Sequence, residues 1–456
     1  MFLDLGLGKT ICSAIVAAYK LHVEDFYSCQ VIVPASLITQ WVLVLKRLGV
    51  EVGDYRGTPE ERKKIDTDVD FLVMSYQIFQ KDFNLLRHDN IYLIVDEATV
   101  LGNSQNLLWK MINGGLVKKK VKVEGKRKPK IVETRYKNIN EGACLLTATP
   151  INKPTDAYGL IQTINPGIYR SYIQFERIHV LEYDHFDNPK EYDELDLLGE
   201  NLLINGTLRS AADHLDLPPL NISVIEYELH PKHMEIYKQL VEERIVEIDG
   251  EIKLDVLQAT ALYHALQRVI MSPEIAGYGG SVTGMEILDT LVESTNKYLV
   301  FNNYKLTNKK VMKTYDIGGS FGGLTAKVKD KFIADFKEGD LEGLACHVKS
   351  AGVGLDLPNC QYIFVTELPI TPRDFYQLVG RCHRQGQTLP VFVSVLVARN
   401  TIQATLHRKI ADKDDLMKKV VNTPRSLRDD LFKNIVDPPV KKTKAQVKKE
   451  LLGLDS

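Results

Sequence analysis

Residues 1–3 read Met1-Phe2-Leu3, an apolar segment, and residues 4–10 read Asp4-Leu5-Gly6-Leu7-Gly8-Lys9-Thr10. Apolar residues then recur at helical spacing, at Ile11, Ala14, Ile15 and Ala18. A strand, a glycine-rich turn, a lysine, a hydroxyl residue and a helix follow one another, which is the layout of a phosphate-binding loop. In such a loop, glycines let backbone N–H groups approach phosphates, and the helix N-terminus adds a favourable field.

The residues of this loop have distinct expected roles. Gly6 and Gly8 would admit the phosphates of a nucleotide. Lys9 would neutralise the β and γ phosphates, and the Thr10 hydroxyl would hold Mg²⁺. The strict pattern G-x-x-x-x-G-K-[ST] is broken because Leu3 stands at its first glycine. The alternative is a glycine-rich turn without a ligand, and later segments have to distinguish the two.

Composition narrows the class of protein. The chain has 456 residues, of which 44% are apolar and 26% charged, and a net charge of −1. These values suit a soluble globular protein of about three domain units. Because there is no global basic field, any contact with nucleic acid has to be local. We expect no membrane span, since no run reaches about 18 apolar residues, and no secretory signal is visible. The six cysteines form no C-x-x-C pair, which favours reduced thiols in a cytoplasmic protein without a zinc site.

The first half of the chain alternates apolar strands with helical segments. The predicted strands are 30–34, 70–76, 91–95 and 142–151. This alternation predicts an α/β fold with a parallel sheet covered on both faces. Ligands gather at the carboxyl ends of such strands, where the sequence places Thr10, Ser36, Ser75, Asp96 and Thr147.

An acidic pair follows the apolar strand 91–95. Asp96 would hold Mg²⁺ through its water shell, and Glu97 would orient the attacking water in phosphoryl transfer. The alternative is a pair of capping carboxylates at the end of a strand.

The second half predicts a second parallel-sheet unit. Residues 166–217 are mixed and helical in part, and residues 217–221 form a proline-marked linker that starts Leu217-Pro218-Pro219-Leu220. A strand is predicted over 221–229 and helices over 232–246 and 254–270. Further strands are predicted over 297–301, 343–348, 362–365 and 391–395. Residues 426–456 form a basic tail that we expect to be solvated.

Four segments of the first half occur in an order that resembles a known family. They are GLGKT at 6–10, VPASLITQW at 33–41, VDEAT at 95–99 and LTATPI at 146–151. Two later segments, SAGVGLDL at 350–357 and QLVGRCHRQGQ at 377–387, strengthen the resemblance greatly. Together they resemble superfamily 2 helicases of the Swi/Snf-type branch, over nearly the whole chain. Thr99 departs from this pattern, since many relatives carry histidine there. The compact size resembles viral or bacteriophage members, among them branch-migration helicases.

The resemblance implies two RecA-like lobes with ATP and Mg²⁺ in the cleft between them. Lobe one would span 1–216 and lobe two 222–425, with helical insertions. Lobe two would contribute nucleotide-binding residues at Gly354, Asp356 and Gln377. Arg381 and Arg384, expected on one helix face, would stabilise charge on the transferring γ-phosphate.

Nucleic acid is expected to lie across the loops that follow the strands. Hydroxyl groups of Ser36, Ser75, Thr149 and Ser350 could bind phosphates, and Gly352 would permit close backbone approach. Such contacts position a strand without reading its sequence. Each hydroxyl has an alternative role as a helix cap, and Ser36 in particular is a plausible N-cap.

Residues 117–137 predict a basic β-hairpin that projects from lobe one. Alternating valines and charges, β-prone residues at 131–136 and turn residues between them support this. Its candidate phosphate-binding residues are Lys118, Lys119, Lys120, Lys122, Lys126, Arg127, Lys128 and Lys130. The alternative is a disordered basic loop.

Two classes of function remain open from the sequence. The resemblance favours an ATP-dependent DNA translocase or helicase acting on duplex, forked or branched DNA, with RNA less expected. The alternative is an ATP-driven factor that displaces a protein bound to nucleic acid. The expected location is the cytoplasm, or the host cytoplasm for a viral or phage protein.

Overall fold

Two parallel β-sheets, one in each half of the chain, organise the structure. The computed structural model describes residues 1–421 apart from 5, 122–129, 185–186, 244, 249–250, 256–258 and 349–355. The first unit comprises Met1–Leu215 together with the segment that starts at Leu416, and the second comprises Asp216–Asp415. The basic tail at 426–456 lies outside the described residues.

The first unit carries eleven described strands and eight described helices. The strands are β1 (Phe2–Leu3), β2 (Ser28–Val33), β3 (Val52–Asp54), β4 (Phe71–Ser75), β5 (Ile91–Asp96), β6 (Gly114–Val121), β7 (Lys130–Asn138), β8 (Ala143–Leu146), β9 (Val180–Tyr183), β10 (Pro189–Tyr192) and β11 (Leu208–Arg209). The helices are α1 (Lys9–Val23), α2 (Ile38–Arg47), α3 (Pro59–Arg62), α4 (Tyr76–Asp82), α5 (Leu107–Asn113), α6 (Asp156–Ile164), α7 (Tyr172–His179) and α8 (Leu195–Leu203).

The main sheet of the first unit is parallel, with strand order β3-β4-β2-β5-β8. This confirms the four strands predicted from apolar runs. The sequence analysis did not predict β3 or β11, because two or three residues give no clear periodicity. β1 pairs in parallel with β11, and Phe2 forms a single parallel bridge with Thr147 just after β8. The two-residue strand β1 thus lies beside the carboxyl end of β8.

Alternate residues of the central strands enter two different apolar cores. On β5, Tyr92 and Ile94 pack with the α1–α2 side, whereas Leu93 and Val95 belong to the larger core on the opposite face. Side chains of a strand point to opposite faces in turn, so a strand that is covered on both faces must be apolar throughout. All six residues of β5 are buried. This is why the segment reads as a continuous apolar run.

The predicted basic hairpin is present as a separate two-stranded antiparallel sheet of β6 and β7. Lys118 pairs with Glu133 in its register, and the strands begin at Gly114, three residues before the predicted start. Tyr136 fixes the base of the hairpin, because its ring packs edge-on against Phe83, with centroids 5.3 Å apart. Residues 122–129, between the strands, lie outside the described residues.

The second unit carries eight described strands and seven described helices. The strands are β12 (Leu220–Tyr227), β13 (Ile245–Ile248), β14 (Glu251–Asp255), β15 (Tyr298–Asn302), β16 (Gly318–Ser320), β17 (Gly343–His347), β18 (Tyr362–Val365) and β19 (Val391–Ala398). The helices are α9 (Pro231–Glu243), α10 (Ala259–Met271), α11 (Thr283–Glu293), α12 (Lys305–Thr314), α13 (Ala326–Glu338), α14 (Pro372–Val379) and α15 (Ile402–Val421).

The main sheet of the second unit is also parallel, with strand order β12-β19-β18-β15-β17-β16. The predicted helices over 232–246 and 254–270 were wrong at their adjoining ends, where β13 and β14 form an antiparallel pair. The signal was available in Asp249-Gly250, a typical hairpin dipeptide between β-prone residues. This dipeptide was overlooked because the segments before and after it have helical periodicity.

Domain boundaries differ from those expected in two places. Leu220 and Asn221, assigned to the linker, are the first residues of β12, where they pair with Val391 and Phe392 of β19. The last turns of α15 belong to the first unit rather than to the second. A Cβ at Gly199 of α8 would lie 2.0 Å from the Val420 carbonyl oxygen, so the close approach of these two helices requires glycine. Within the described part of the chain, no helix is long and apolar enough to span a membrane.

Candidate functional site

The predicted phosphate-binding loop connects β1 to α1 through two glycines with left-handed backbones. Gly6 has φ 88° and Gly8, the N-cap of α1, has φ 74°. These angles disfavour any residue with a Cβ. The N-cap residue, Gly8, makes no side-chain capping bond, and the first turn of α1 contains no acidic residue. This geometry fits an anion. Leu5 lies outside the described residues.

Lys9 lies in the first turn of α1, and its ammonium group points back to the end of β1. Lys9 Nζ donates hydrogen bonds to the carbonyl oxygens of Leu3, at 2.6 Å, and Asp4, at 3.2 Å. These partners hold the positive charge at the carboxyl edge of the first sheet. Thr10 follows it in the same turn and is partly exposed.

Asp96 ends β5 at the same edge of the sheet, and its carboxylate is buried and oriented. Oδ2 accepts a hydrogen bond from Trp41 Nε1 at 2.8 Å, and Oδ1 accepts one from the Glu97 backbone N–H at 2.9 Å. Burial and the neighbouring charge of Glu97 raise the pKa of Asp96 to about 6, while the charge of Lys9 acts in the opposite direction. Lys9 and Asp96 are therefore electrostatically coupled.

Glu97 adopts a left-handed backbone, with φ 52° and ψ 47°. Its side chain does not cap the short 3₁₀ helix Ala98–Leu101 that follows. A left-handed glutamate is uncommon, and such backbones cluster at functional sites. The alternative of two capping carboxylates is therefore not supported for Glu97. Thr99 Oγ1 donates to the Glu97 carbonyl oxygen at 3.4 Å.

Arg381 and Arg384 of the second unit were expected on one helix face, and this was wrong. α14 ends at Val379, Gly380 is its C-cap, and both arginines lie in the turns that follow. The two guanidinium groups nevertheless converge on one carboxylate. Arg384 Nη1 donates to Asp356 Oδ1, and Arg381 Nη1 lies 3.9 Å from the same oxygen.

The arginine turns are fixed by buried polar contacts. Arg381 Nε donates to the Gln377 carbonyl oxygen at 3.1 Å, and burial lowers the pKa of Arg384. His383 Nε2 bonds to the Pro218 carbonyl oxygen at 2.8 Å, a structural contact to the start of the second unit. Gln387 Nε2 donates to the Cys360 carbonyl oxygen at 2.9 Å. The structure thus brings Asp356, Gln377, Arg381 and Arg384 together, whereas Gly354 lies outside the described residues.

The candidate phosphate-binding hydroxyls have three different environments. Ser36 is exposed and caps neither the 3₁₀ helix Ala35–Leu37 nor α2, so its expected capping role was wrong. Ser75 is buried, and its Oγ caps α4 by accepting from the Ile78 backbone N–H at 3.2 Å. Thr149 is buried, and its Oγ1 makes no hydrogen bond to any described residue. Ser350 and Gly352 lie outside the described residues.

The basic residues of the hairpin are only partly described. Lys118 and Lys119 are exposed, and Lys118 Nζ lies 2.7 Å from Glu133 Oε1 across the strands. Lys120 and Lys130 lie on the paired strands. The remaining candidates, Lys122, Lys126, Arg127 and Lys128, lie outside the described residues.

Two residues that orient the Asp96 turn were missed by the sequence analysis. Besides Trp41, Tyr76 contributes a hydroxyl that donates to the Asp96 main-chain carbonyl oxygen and lies 3.4 Å from that of Glu97. Trp41 belongs to the quoted segment VPASLITQW, where no role was predicted for it. The sequence alone could not reveal the bond from Trp41 to Asp96, because donor and acceptor are 55 positions apart in the chain.

Two family models place the chain in the helicase-type class of proteins. The model of the SNF2-related domain matches residues 1–123 and 125–274, more than half of the chain, so the chain belongs to the SNF2-related family. The model of the helicase conserved C-terminal domain matches residues 283–386.

Curated relatives are similar over most of this chain. It is 22% identical to the nuclear protein STH1/NPS1 of Saccharomyces cerevisiae, over 92% of this chain and 33% of that protein. It is 23% identical to the yeast DNA repair and recombination protein RDH54, over 94% of this chain and 52% of that protein. An uncharacterized ATP-dependent helicase of Mycoplasma genitalium is 21% identical, over 92% of this chain and 40% of that protein. The chain thus spans about a third to a half of the length of these relatives.

Solved structures are also similar to this chain. The Sulfolobus solfataricus SWI2/SNF2 ATPase core in complex with dsDNA is 20% identical, covers 100% of this chain and 92% of that chain, and has a TM-score of 0.38.

Proposed function

We propose that this chain is an ATP-dependent DNA translocase or helicase that remodels forked or branched DNA, by branch migration in replication, recombination or repair. One observation carries the proposal. The ammonium of Lys9, at the end of β1, acts electrostatically on the buried carboxylate of Asp96, at the end of β5. A metal-bound nucleotide needs a cation beside a helix N-terminus for its phosphates and a carboxylate at the same sheet edge for its metal ion.

The first unit would bind ATP and Mg²⁺. Gly6 and Gly8 would present backbone N–H groups to the phosphates, and Lys9 Nζ would exchange the Leu3 and Asp4 carbonyl oxygens for phosphate oxygens. The Thr10 hydroxyl and, through water, Asp96 would hold Mg²⁺. Bound Mg·ATP supplies the transferable phosphoryl group, and Glu97 would orient the attacking water.

The second unit would contribute the arginines. Arg381 and Arg384 are held near one another by Asp356, with the Gln377 backbone supporting Arg381. Their planar guanidinium groups suit the charge that develops on a transferring γ-phosphate. Alternating nucleotide-driven closure and opening would then step the units along a strand.

DNA is the proposed partner. One relative is described as a DNA repair and recombination protein, and one similar structure is described as a complex with dsDNA. Ser36 and the hairpin residues Lys118 and Lys119 are exposed and therefore accessible to phosphates. The finer assignment to forked or branched DNA rests on the basic hairpin of β6 and β7.

The test is ATPase stimulation compared across single-stranded, duplex, forked and four-way DNA and across RNA. We expect branched or duplex DNA to stimulate most, with strand separation or junction migration on naked DNA. The Glu97→Gln variant serves as the control for contaminating ATPase. ATP hydrolysis accompanied only by displacement of a DNA-bound protein would favour the displacement factor instead, and stimulation by RNA alone would contradict the proposal.

A further inference from the structure

Two aromatic residues connect the candidate phosphate-binding hydroxyls to the Asp96 turn. Trp41 lies in α2, the helix that follows Ser36, and Tyr76 is the residue directly after Ser75. Both donate hydrogen bonds to Asp96, one to its side chain and one to its main chain. Two separate segments of the sheet edge therefore meet at one residue.

Trp41 fixes the Asp96 carboxylate. The indole is fully buried, and its Nε1 donates to Oδ2 at 2.8 Å, while Oδ1 is held by the Glu97 backbone N–H. With both oxygens engaged, the carboxylate has one rotational position. A buried carboxylate that accepts a fixed N–H is held ready for a metal or its water shell.

Tyr76 fixes the backbone on which Glu97 stands. Its hydroxyl donates to the Asp96 carbonyl oxygen, and the Glu97 carbonyl oxygen lies 3.4 Å away. Glu97 has a left-handed backbone, which persists only where its surroundings hold it. The Tyr76 hydroxyl supplies such a constraint from the first residue of α4.

We propose that Trp41 and Tyr76 are positioning residues that couple nucleic-acid engagement at the Ser36 and Ser75 segments to the Asp96–Glu97 turn. A phosphate that pulls on either segment shifts an aromatic donor, and that donor shifts the carboxylate or the turn. This inference rests on the proposed function. It adds the residues through which DNA would change metal binding and water positioning.

The chain offers a matched control for each donor. Trp109, the only other tryptophan, donates its Nε1 to the Gly159 carbonyl oxygen at 2.9 Å in the same unit. Tyr55 is buried, and its hydroxyl donates to Asp82 Oδ2 at 3.2 Å, also in that unit. Trp→Phe and Tyr→Phe at these positions remove a donor whose acceptor, Gly159 or Asp82, is not part of the Asp96 turn.

The first experiment measures Mn²⁺ binding by electron paramagnetic resonance in the presence of ATP, together with metal-free ATP binding by fluorescence. Trp41→Phe should weaken Mn²⁺ affinity about tenfold and leave metal-free ATP binding unchanged. Trp109→Phe should alter neither. Equal Mn²⁺ affinity in Trp41→Phe and wild type would overturn the role of Trp41. If Trp41→Phe does not fold, benzothienylalanine in place of Trp41, in the Trp109→Phe background, removes the N–H while keeping the ring shape.

The second experiment measures the ratio of DNA-stimulated to basal kcat. Tyr76→Phe should lower this ratio at least about fivefold, with thermal unfolding close to that of Tyr55→Phe. An unchanged ratio would overturn the role of Tyr76. If nucleic acid does not stimulate the ATPase of the wild-type chain, the proposed function itself is refuted, and with it the coupling. This outcome is distinct from an unchanged ratio in Tyr76→Phe alone. The Mn²⁺ measurement on Trp41 would still report whether its hydrogen bond orients Asp96.

Discussion

The guanidinium of Arg384 donates a hydrogen bond to the carboxylate of Asp356, which also lies 3.9 Å from Arg381 Nη1. One partly exposed carboxylate thus holds two arginines that the chain places after the end of α14. The Leu357 backbone N–H adds a bond of 2.9 Å to the Arg381 carbonyl oxygen. Because the loop at Asp356 and the arginine turns are joined in this way, they should move as one piece.

The first prediction concerns the arginines. Replacing Arg381 or Arg384 by Ala should lower kcat by about 10³-fold or more, while ATP binding by the first unit stays close to wild type. Arg384→Lys should not restore activity, because a lysine lacks the planar fork of donors. Single-turnover hydrolysis and equilibrium binding of a fluorescent ATP analogue separate the two effects. Full activity in Arg384→Lys would exclude Arg384 from γ-phosphate stabilisation.

The second prediction separates nucleotide binding from hydrolysis in the first unit. Lys9→Ala should lose nucleotide binding, since it removes the cation beside the N-terminus of α1. Glu97→Gln should bind ATP normally and hydrolyse it slowly, because only the orientation of water is lost. The same binding and single-turnover assays check both variants. Near-normal DNA-stimulated ATPase in Glu97→Gln would show that Glu97 does not orient the attacking water.

Sequence patterns were sufficient to predict the central strands of the two parallel sheets. The central strands of both sheets are buried on both faces, so each is an apolar run that can be recognised without a structure. The glycine-rich turn before α1 was also recognisable, because its glycines, lysine and threonine lie close together in the chain. Short or edge elements such as β3 and β11 were missed because their pairing is decided by partners distant in sequence.

Side-chain partners across the sheet could not be read from the sequence. Arg381 and Arg384 were expected to share a helix, but the helix ends at Val379 and the two side chains converge on Asp356 instead. Likewise, Trp41 is a buried core residue, and its indole N–H is the donor for Asp96. Apolar patterning predicts that a tryptophan is buried, but it does not predict the acceptor for its single N–H.

The third prediction concerns pH and the stability of the second unit. Glu367 is fully buried, and its carboxylate accepts hydrogen bonds from Thr307 Oγ1 at 2.6 Å and from the backbone N–H groups of Asn303 and Tyr304 at 2.7 and 3.0 Å. Burial raises its pKa from 4.5 to about 7. The folded protein therefore binds a proton between these pH values that the unfolded chain does not bind.

The sign follows from this difference in proton binding. The contribution of Glu367 to stability is fully present below pH 4.5 and is lost as the pH rises through about 7. Its size should be on the order of 1 to 3 kcal/mol. Glu367→Gln removes the titrating group, so urea unfolding midpoints of this variant should depend less on pH between 5 and 8 than those of wild type. Parallel pH profiles for the two proteins would contradict the prediction, whatever the absolute stability of the variant.

The last prediction concerns the basic hairpin of β6 and β7, which we propose to contact the duplex ahead of the motor. Val117 pairs with Thr134 in its register. Deleting residues 118–133 and joining these two by a pair of glycines therefore keeps Tyr136 in its contact with Phe83. The shortened chain should retain basal ATPase, because the hairpin forms its own sheet and contributes no strand to the main one.

The deletion should weaken binding to forked DNA and reduce the salt dependence of binding, since each lost phosphate contact lowers the log–log slope by about 0.9. It should also lower the number of base pairs unwound per ATP hydrolysed. Lys119→Glu, at an exposed position of β6, should likewise weaken DNA binding, reduce its salt dependence and lower the unwinding per ATP. Lys190→Glu, on the separate β9–β10 pair, is the matched control. A hairpin that serves only as a passive insertion would leave both the salt slope and the unwinding per ATP unchanged in the deletion.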